Sequence, residues 1–273
     1  MRDDHGSDAV RYWAASSRLG TDAAFDPQNP KRIKIGRRLA IKVLNAAKFV
    51  YSFPAPSVSE LSSSVPELVE GQLSTSAVTD PLDLDMLAGL STVIATATAA
   101  LEDYDHAKAL ETTEQFFWTF CDDYLEVVKE RAYGASTEEG QASAVVALRT
   151  AIDILLRLFA PYLPFATEEV WSWTHEGSVH TASWPTTSEA GTDAAPSGLF
   201  SAVSAALISI RRAKTDAKAS QKTDVVSATI AGPAILADAL GDLRAVGRIA
   251  NVEFVESDEI EVRDIVLAVE PTE

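Results

Sequence analysis

Along residues 31–50, KRIKIGRRLAIKVLNAAKFV, apolar and polar positions recur with helical spacing. At about 100° per residue, Lys31, Lys34, Arg38, Lys42, Asn45 and Phe49 fall within an arc of about 80°. Ile33, Leu39, Ala40, Val43, Leu44, Ala47 and Val50 spread over the opposite side. The pattern predicts an amphipathic helix over about 31–52, which Pro54 and Pro56 stop. Before it, residues 7–19 read as a helix with Ser7 as N-cap and Asp8 in the first turn. Residues 52–81, rich in Ser, Pro and Thr, read as a surface loop with one helical turn near Pro66 to Val69. Further helices are expected over about 81–102, with Pro81 at the first helical position, and over about 105–133, ending near Gly134. Another starts after Thr137 and is closed by Pro161 and Pro164. A short helix in FATEEVWSWT follows, then loop over 175–198, then a helix over about 199–217.

Beyond residue 220 the texture changes. DVVSATIAG, VEFVES and EVRDIVLAVE are rich in β-branched residues and read as strands, with a helical piece between the first two. The fold class is therefore mainly α: a helical bundle followed by a small α+β unit. At 273 residues the chain holds one large or two modest domains. Its single cysteine, Cys121, excludes a disulfide framework and reads as a small buried apolar side chain. The N-terminus, acidic and polar, does not read as a signal peptide, and no window approaches the ~18 uncharged apolar residues of a membrane span. A cytoplasmic location, with no membrane contact, is expected.

Charge changes this picture. The formal net charge is −17, which on average repels nucleic acid. Yet of 23 Lys and Arg, seven fall in 31–50 and five in 211–222. No Asp or Glu dilutes the first cluster, so it lacks pairing along its own helix, and its like charges at i,i+4 repel. Phe49 lies on the charged stripe. Cations for phosphates beside an aromatic plane for a base are what single-stranded or loop RNA requires. The opposing reading is a solvated or internally neutralised face, with Asp122, Asp123 and Glu126 as partners.

GSDAVRYWAASSRLGTDAAFD, RRLAIKVLNAAKFV, FFWTFCDDYLEVVKE, LLRLFAPYLPFATEEVW and SVHTASWP occur in this order. Over about residues 5–220 the chain resembles the C-terminal part of the valyl-tRNA synthetases, within the class I aminoacyl-tRNA synthetases. The resemblance implies a stem-contact helix and linker over 1–30, an anticodon-binding helical bundle over 31–190 and a small α+β domain over 195–273. It implies a tRNA-binding, anticodon-recognising part of a valine–tRNA ligase, which attaches valine to tRNA(Val) using ATP. Neither a His-x-Gly-His sequence nor a Lys-Met-Ser-Lys-Ser loop occurs, so no catalytic residue is expected. Catalysis, editing and ATP use would reside in an upstream catalytic domain. No cofactor or metal is expected in the chain itself. The expected partners are tRNA(Val) and that catalytic domain, with the protein a monomer. The long C-terminal coiled coil of many bacterial members has no heptad counterpart in the strand-like sequence here.

By resemblance, Lys42 and Phe49 contact and stack on anticodon bases, with Lys31 nearby. Lys34 and Arg38 extend the cationic ladder, Asn45 could read a base edge, and Asp122 could accept from a base amino group. Arg211 and Arg212, with Lys214, Lys218 and Lys222, match a basic helix that touches tRNA backbone. Phe116, Phe117, Trp118, Phe120 and Tyr124 read as core filling. The same region of an isoleucyl-, leucyl- or methionyl-tRNA synthetase, or a non-RNA helical interaction module, remains an alternative.

Overall fold

The computed structural model describes residues 5–18, 20–21, 25–26, 28–53, 77–191 and 196–268. The helical turn expected at Pro66 to Val69 lies outside the described residues. The chain divides into two compact units. The first comprises Met1–Ala77, Leu87–Trp118 and Val145–Ala194, and the second Val78–Met86, Thr119–Ala144 and Ala195–Glu273. Helices α1 (Ser7–Ala15), α2 (Lys31–Val50), α3 (Pro81–Glu102), α4 (His106–Thr119), α5 (Glu138–Phe159), α6 (Pro164–Trp171) and α7 (Leu199–Asp216) appear where the apolar periodicity predicts them. Strands β1 (Val225–Gly232), β2 (Ile249–Glu256) and β3 (Glu261–Leu267) and helix α8 (Leu240–Gly247) make up the C-terminal α+β portion.

In the first unit, α2 buries Ile33, Leu39, Val43 and Val50, the apolar side that its period predicts. Leu90 and Ile94 of α3, Phe117 of α4 and Phe159 of α5 are buried as well. Phe117 meets Phe159 edge to face, with centroids 5.4 Å apart. Helix α1 crosses α2 at Gly36, where a Cβ would stand 2.6 Å from the Cβ of Tyr12, so only glycine allows this approach.

Several expectations need correction. Ser7 is the first helical residue rather than the cap. Gly6, at φ 85°, holds the cap position, a conformation that suits glycine. Asp8 is buried and works elsewhere: its carboxylate accepts the amides of Phe165 and Ala166 at the start of α6. Helix α3 is, by length and composition, apolar enough to cross a membrane, contrary to the sequence reading. Its buried Leu82, Met86, Leu87, Leu90 and Ile94 make it a core helix, for which the same composition serves. The loop over 175–198 contains a short 3₁₀ turn, Thr187–Ala190, with a capping box between Thr186 and Glu189.

The helix expected over 105–133 is not continuous. After α4 the backbone widens into a π-helical turn, Phe120–Tyr124, and continues as short helical pieces at Leu125–Val127 and Lys129–Ala132. The turn belongs to the second unit, where Phe120 and Tyr124 are fully buried. A π turn shifts the helical phase by one residue. Tyr124 stacks on Phe120 at 5.7 Å and meets Phe200 of α7 edge to face at 5.7 Å. The sheet runs β2–β1–β3, with β2 parallel and β3 antiparallel to β1. β1 is central: Ile230 lies between Phe254 and Val262, and Val225, Ala228 and Ile230 are buried.

Candidate nucleic-acid interface

The first unit presents the stripe that the sequence points to. Lys31, Lys34, Arg38 and Asn45 are exposed, and Lys42 and Phe49 are half-buried. Among the described residues, no carboxylate lies within ion-pair distance of Lys31, Lys34 or Arg38. Lys34 donates to the side-chain oxygen of Asn29, at 3.4 Å. Arg32, beside the stripe, donates to the backbone oxygen of Ser16 at 3.0 Å. Lys31, Lys34 and Arg38 are thus spaced along one helix with no neutralising acid among the described residues, a local positive surface on an acidic chain. The Phe49 ring rests edge-on against buried Phe53, with centroids 5.0 Å apart, so one end of the stripe carries a fixed, half-exposed aromatic ring.

A second aromatic group belongs to this face. Trp118, at the end of α4 in the same unit, lies beneath two of the cations. The Arg38 guanidinium carbon is 5.2 Å and the Lys42 Nζ 6.0 Å from its ring centroid. Its indole N–H donates to Glu114 Oε1 at 3.0 Å, and Glu114 Oε2 accepts the Tyr12 hydroxyl at 2.7 Å. Burial first, and then the Glu114 carboxylate, holds the Tyr12 phenol well above the usual tyrosine range, so it stays a donor. A cleft of about 590 Å³ adjoins this chain, bordered by Arg18, Arg32, Ile35 and Glu111 as well as Tyr12 and Trp118. Arg18 is paired with Glu111 there at 3.0 Å.

In the second unit, Asp122 lies exposed on the π turn. Its neighbour Asp123 accepts from Arg211 of α7 at 3.1 Å, and Arg211 also donates to the backbone oxygen of Asp122 at 2.8 Å. Arg211 is therefore occupied in holding the turn. Arg212 is exposed, with a long 3.7 Å pairing to Asp216. Lys218 and Lys222 are exposed as well. Lys214 is a correction: the basic-helix reading places it outward, yet its side chain is fully buried. Its ammonium donates to the backbone oxygens of Gln221 and Thr223, closing the loop after α7.

Behind the π turn sits a buried ionic cluster that sequence reading missed. Arg131 donates to Asp83 at 2.6 and 2.9 Å and to Asp242 of α8 at 2.9 Å, with Asp80 at 3.4 Å. Tyr124 and Ser143 also donate to Asp83, at 2.7 and 2.6 Å. Burial works to lower the Arg131 pKa, but the Asp83 bonds and charge outweigh it and raise it, so the guanidinium stays charged. Burial raises the Tyr124 phenol well above its usual range, with Asp83 adding to the effect. No local pattern announces this cluster, because Arg131 reaches Asp83 across 48 residues and Asp242 across 111. Trp118 was missed for a different reason: its neighbours Phe117 and Phe120 are indeed core, and only its half-exposure separates it from them.

Residues 83–230 match the family model described as the anticodon-binding domain of tRNA ligase. The chain is 59% identical over 276 residues to a valine–tRNA ligase of Leifsonia xyli, covering 98% of this chain and 30% of that protein. It is 48% identical over 273 residues to the valine–tRNA ligase of Thermobifida fusca, covering 98% of this chain and 29% of that protein. The chain thus spans about 30% of the length of the curated relatives it matches. A more remote likeness, at 21% identity and a TM-score of 0.43 over 69% of this chain and 20% of the other, is to the LeuRS of Agrobacterium radiobacter K84 in a ternary complex with tRNA and LeuAMS.

Proposed function

Because this chain belongs to the family of anticodon-binding domains of tRNA ligases, we propose that it binds tRNA(Val) through the basic stripe of α2. It would serve as the anticodon-recognising part of a valine–tRNA ligase, the enzyme that joins valine to its tRNA with ATP. The reading rests on one observation above others: exposed Lys31, Lys34 and Arg38, with no acidic partner among the described residues, share a helix face with the half-exposed ring of Phe49.

In this reading the residues divide the work by their chemistry. Phe49 supplies a π-face, worth about 1–3 kcal/mol per stacked base. Lys31, Lys34, Arg38 and Lys42 neutralise phosphates and release counterions. The Asn45 amide, exposed beside them, carries both a donor and an acceptor for a base edge. In the second unit, Asp122 offers acceptors to a base amino group, and Arg212 meets the RNA backbone. Arg211, engaged by Asp123, keeps the turn in place rather than contacting RNA itself. The chain supplies binding and orientation, and no group of the stripe takes part in adenylate formation or aminoacyl transfer.

The test is a binding titration of the chain with tRNA(Val) and tRNA(Leu) transcripts at 50 and 200 mM salt. Four phosphate contacts at about 0.7–0.9 ions each predict a loss of about 50–150-fold over that interval. Tighter binding of tRNA(Val) is expected, with an affinity of about micromolar or weaker. Binding that is insensitive to salt and indifferent to the tRNA would overturn the reading. Equal or better binding of tRNA(Leu) would overturn the assignment to valine.

A further inference from the structure

We propose that Trp118 is a positioning residue for this interface: its indole is a rigid platform that holds Arg38 and Lys42 in register for phosphate binding. The proposal rests on the RNA-binding reading of α2. Arg38 and Lys42 are four residues apart on one helix, so their like charges repel and tend to splay the two side chains. A shared aromatic surface counters this, because its quadrupole attracts both cations. The Arg38 carbon at 5.2 Å and the Lys42 Nζ at 6.0 Å from the ring centroid fit that arrangement.

The platform is itself held from below. The bond from the indole N–H to Glu114 fixes the ring's direction, and the Tyr12 hydroxyl fixes Glu114 from its other oxygen. Tyr12 is buried where α1 crosses α2 at Gly36, so the chain of hydrogen bonds is anchored in close packing. Phe117 lies tilted against the indole at 6.0 Å. Long cationic side chains lose conformational entropy when they bind a phosphate, and those already placed lose less. Trp118 thus acts on RNA through Arg38 and Lys42. A base stacking on the indole itself would have to displace the two cations that cover it.

The experiment is a mutant cycle read by anisotropy with labelled tRNA(Val), using the full chain. Trp118→Ala is expected to weaken binding about tenfold at low salt, from the loss of two cation–π contacts. It should also lower the slope of log K against log salt by about 0.7–0.9, one phosphate contact. Trp118→Phe keeps a ring face and loses the tether to Glu114, so about threefold is expected. In an Arg38→Met/Lys42→Met background, Trp118→Ala should change affinity less than twofold. A tenfold loss in that background too would overturn the proposal, since Trp118 would then act on RNA directly or through the fold. Unchanged affinity and slope in Trp118→Ala would also overturn it. Melting curves accompany every variant, and if the alanine variant fails to fold, an unchanged affinity of Trp118→Phe overturns it instead. Absence of RNA binding by the unmutated chain would fell the functional reading itself, a result distinct from any outcome of the cycle.

Discussion

Replacing Arg131 by methionine removes the cation at the centre of the second unit and leaves a side chain of similar reach. Asp83, fully buried, then loses two charge-assisted bonds of 2.6 and 2.9 Å, and Asp242 loses its contact at 2.9 Å. Breaking a buried pair by removing one partner costs about 3–5 kcal/mol. The lower end applies here, because Tyr124 and Ser143 still donate to Asp83 and soften the isolation of its charge. A loss of about 3 kcal/mol, over a urea slope of about 2–3 kcal/mol/M, moves the unfolding midpoint down by about 1–1.5 M. Urea unfolding followed by circular dichroism reads the shift. Hydrogen exchange over Leu240–Gly247 reports whether the loss is felt at α8, which carries Asp242. In Arg131→Met/Asp83→Leu the orphaned carboxylate at position 83 is gone, so the double variant's loss should fall short of the sum of the two single losses by about 2 kcal/mol. A midpoint shift below about 0.3 M for the single variant, or strictly additive losses in the pair, would refute the assignment of Arg131 as the hub that fixes the π turn.

Two further outcomes follow from the packing. Gly36→Ala would force a methyl to within 2.6 Å of the Tyr12 Cβ. The overpacking should cost about 2 kcal/mol and lower the melting temperature by about 4–8 °C, and an unchanged melting temperature would contradict the α1–α2 crossing. Burial first, then the nearby Arg248 charge, lowers the Lys214 pKa, with Asp224 opposing. Between that lowered value and the usual lysine value of about 10.4, the unfolded chain binds more protons than the fold, so stability rises with pH through that window. Urea midpoints between about pH 8 and 10.5 should show this rise flattened in Lys214→Met, and parallel curves for the two proteins would contradict it.

What was legible in the sequence was what repeats locally. The stripe on α2 follows from 3.6-residue spacing alone, and the absence of acids within it is visible in twenty letters. The three strands announce themselves by β-branched content. What escaped depends on distant partners or on competition between good choices. Asp8 reads as a first-turn acid of its own helix, yet it caps α6, about 158 residues away. Lys214 looks like one cation among five, and only the return of the loop through Gln221 and Thr223 takes it inside. The π turn breaks no propensity rule. Its Tyr124 is held by a hydroxyl bond to Asp83, 41 residues earlier, a partner that no local pattern shows. Trp118 sits among core aromatics, and its pairing with Arg38 and Lys42 joins residues about 80 positions apart.

The anticodon reading depends on exposed positive charge at the start of α2 meeting RNA phosphates. Lys31→Gln/Lys34→Gln removes two such charges, neither of which has an acidic partner among the described residues. The decisive measurement is the salt dependence of tRNA(Val) binding by this variant beside the unmutated chain. The account predicts weaker binding and a slope of log K against log salt smaller by about 1.4–1.8, two phosphate contacts. Identical affinity and identical slope in the two proteins would contradict it.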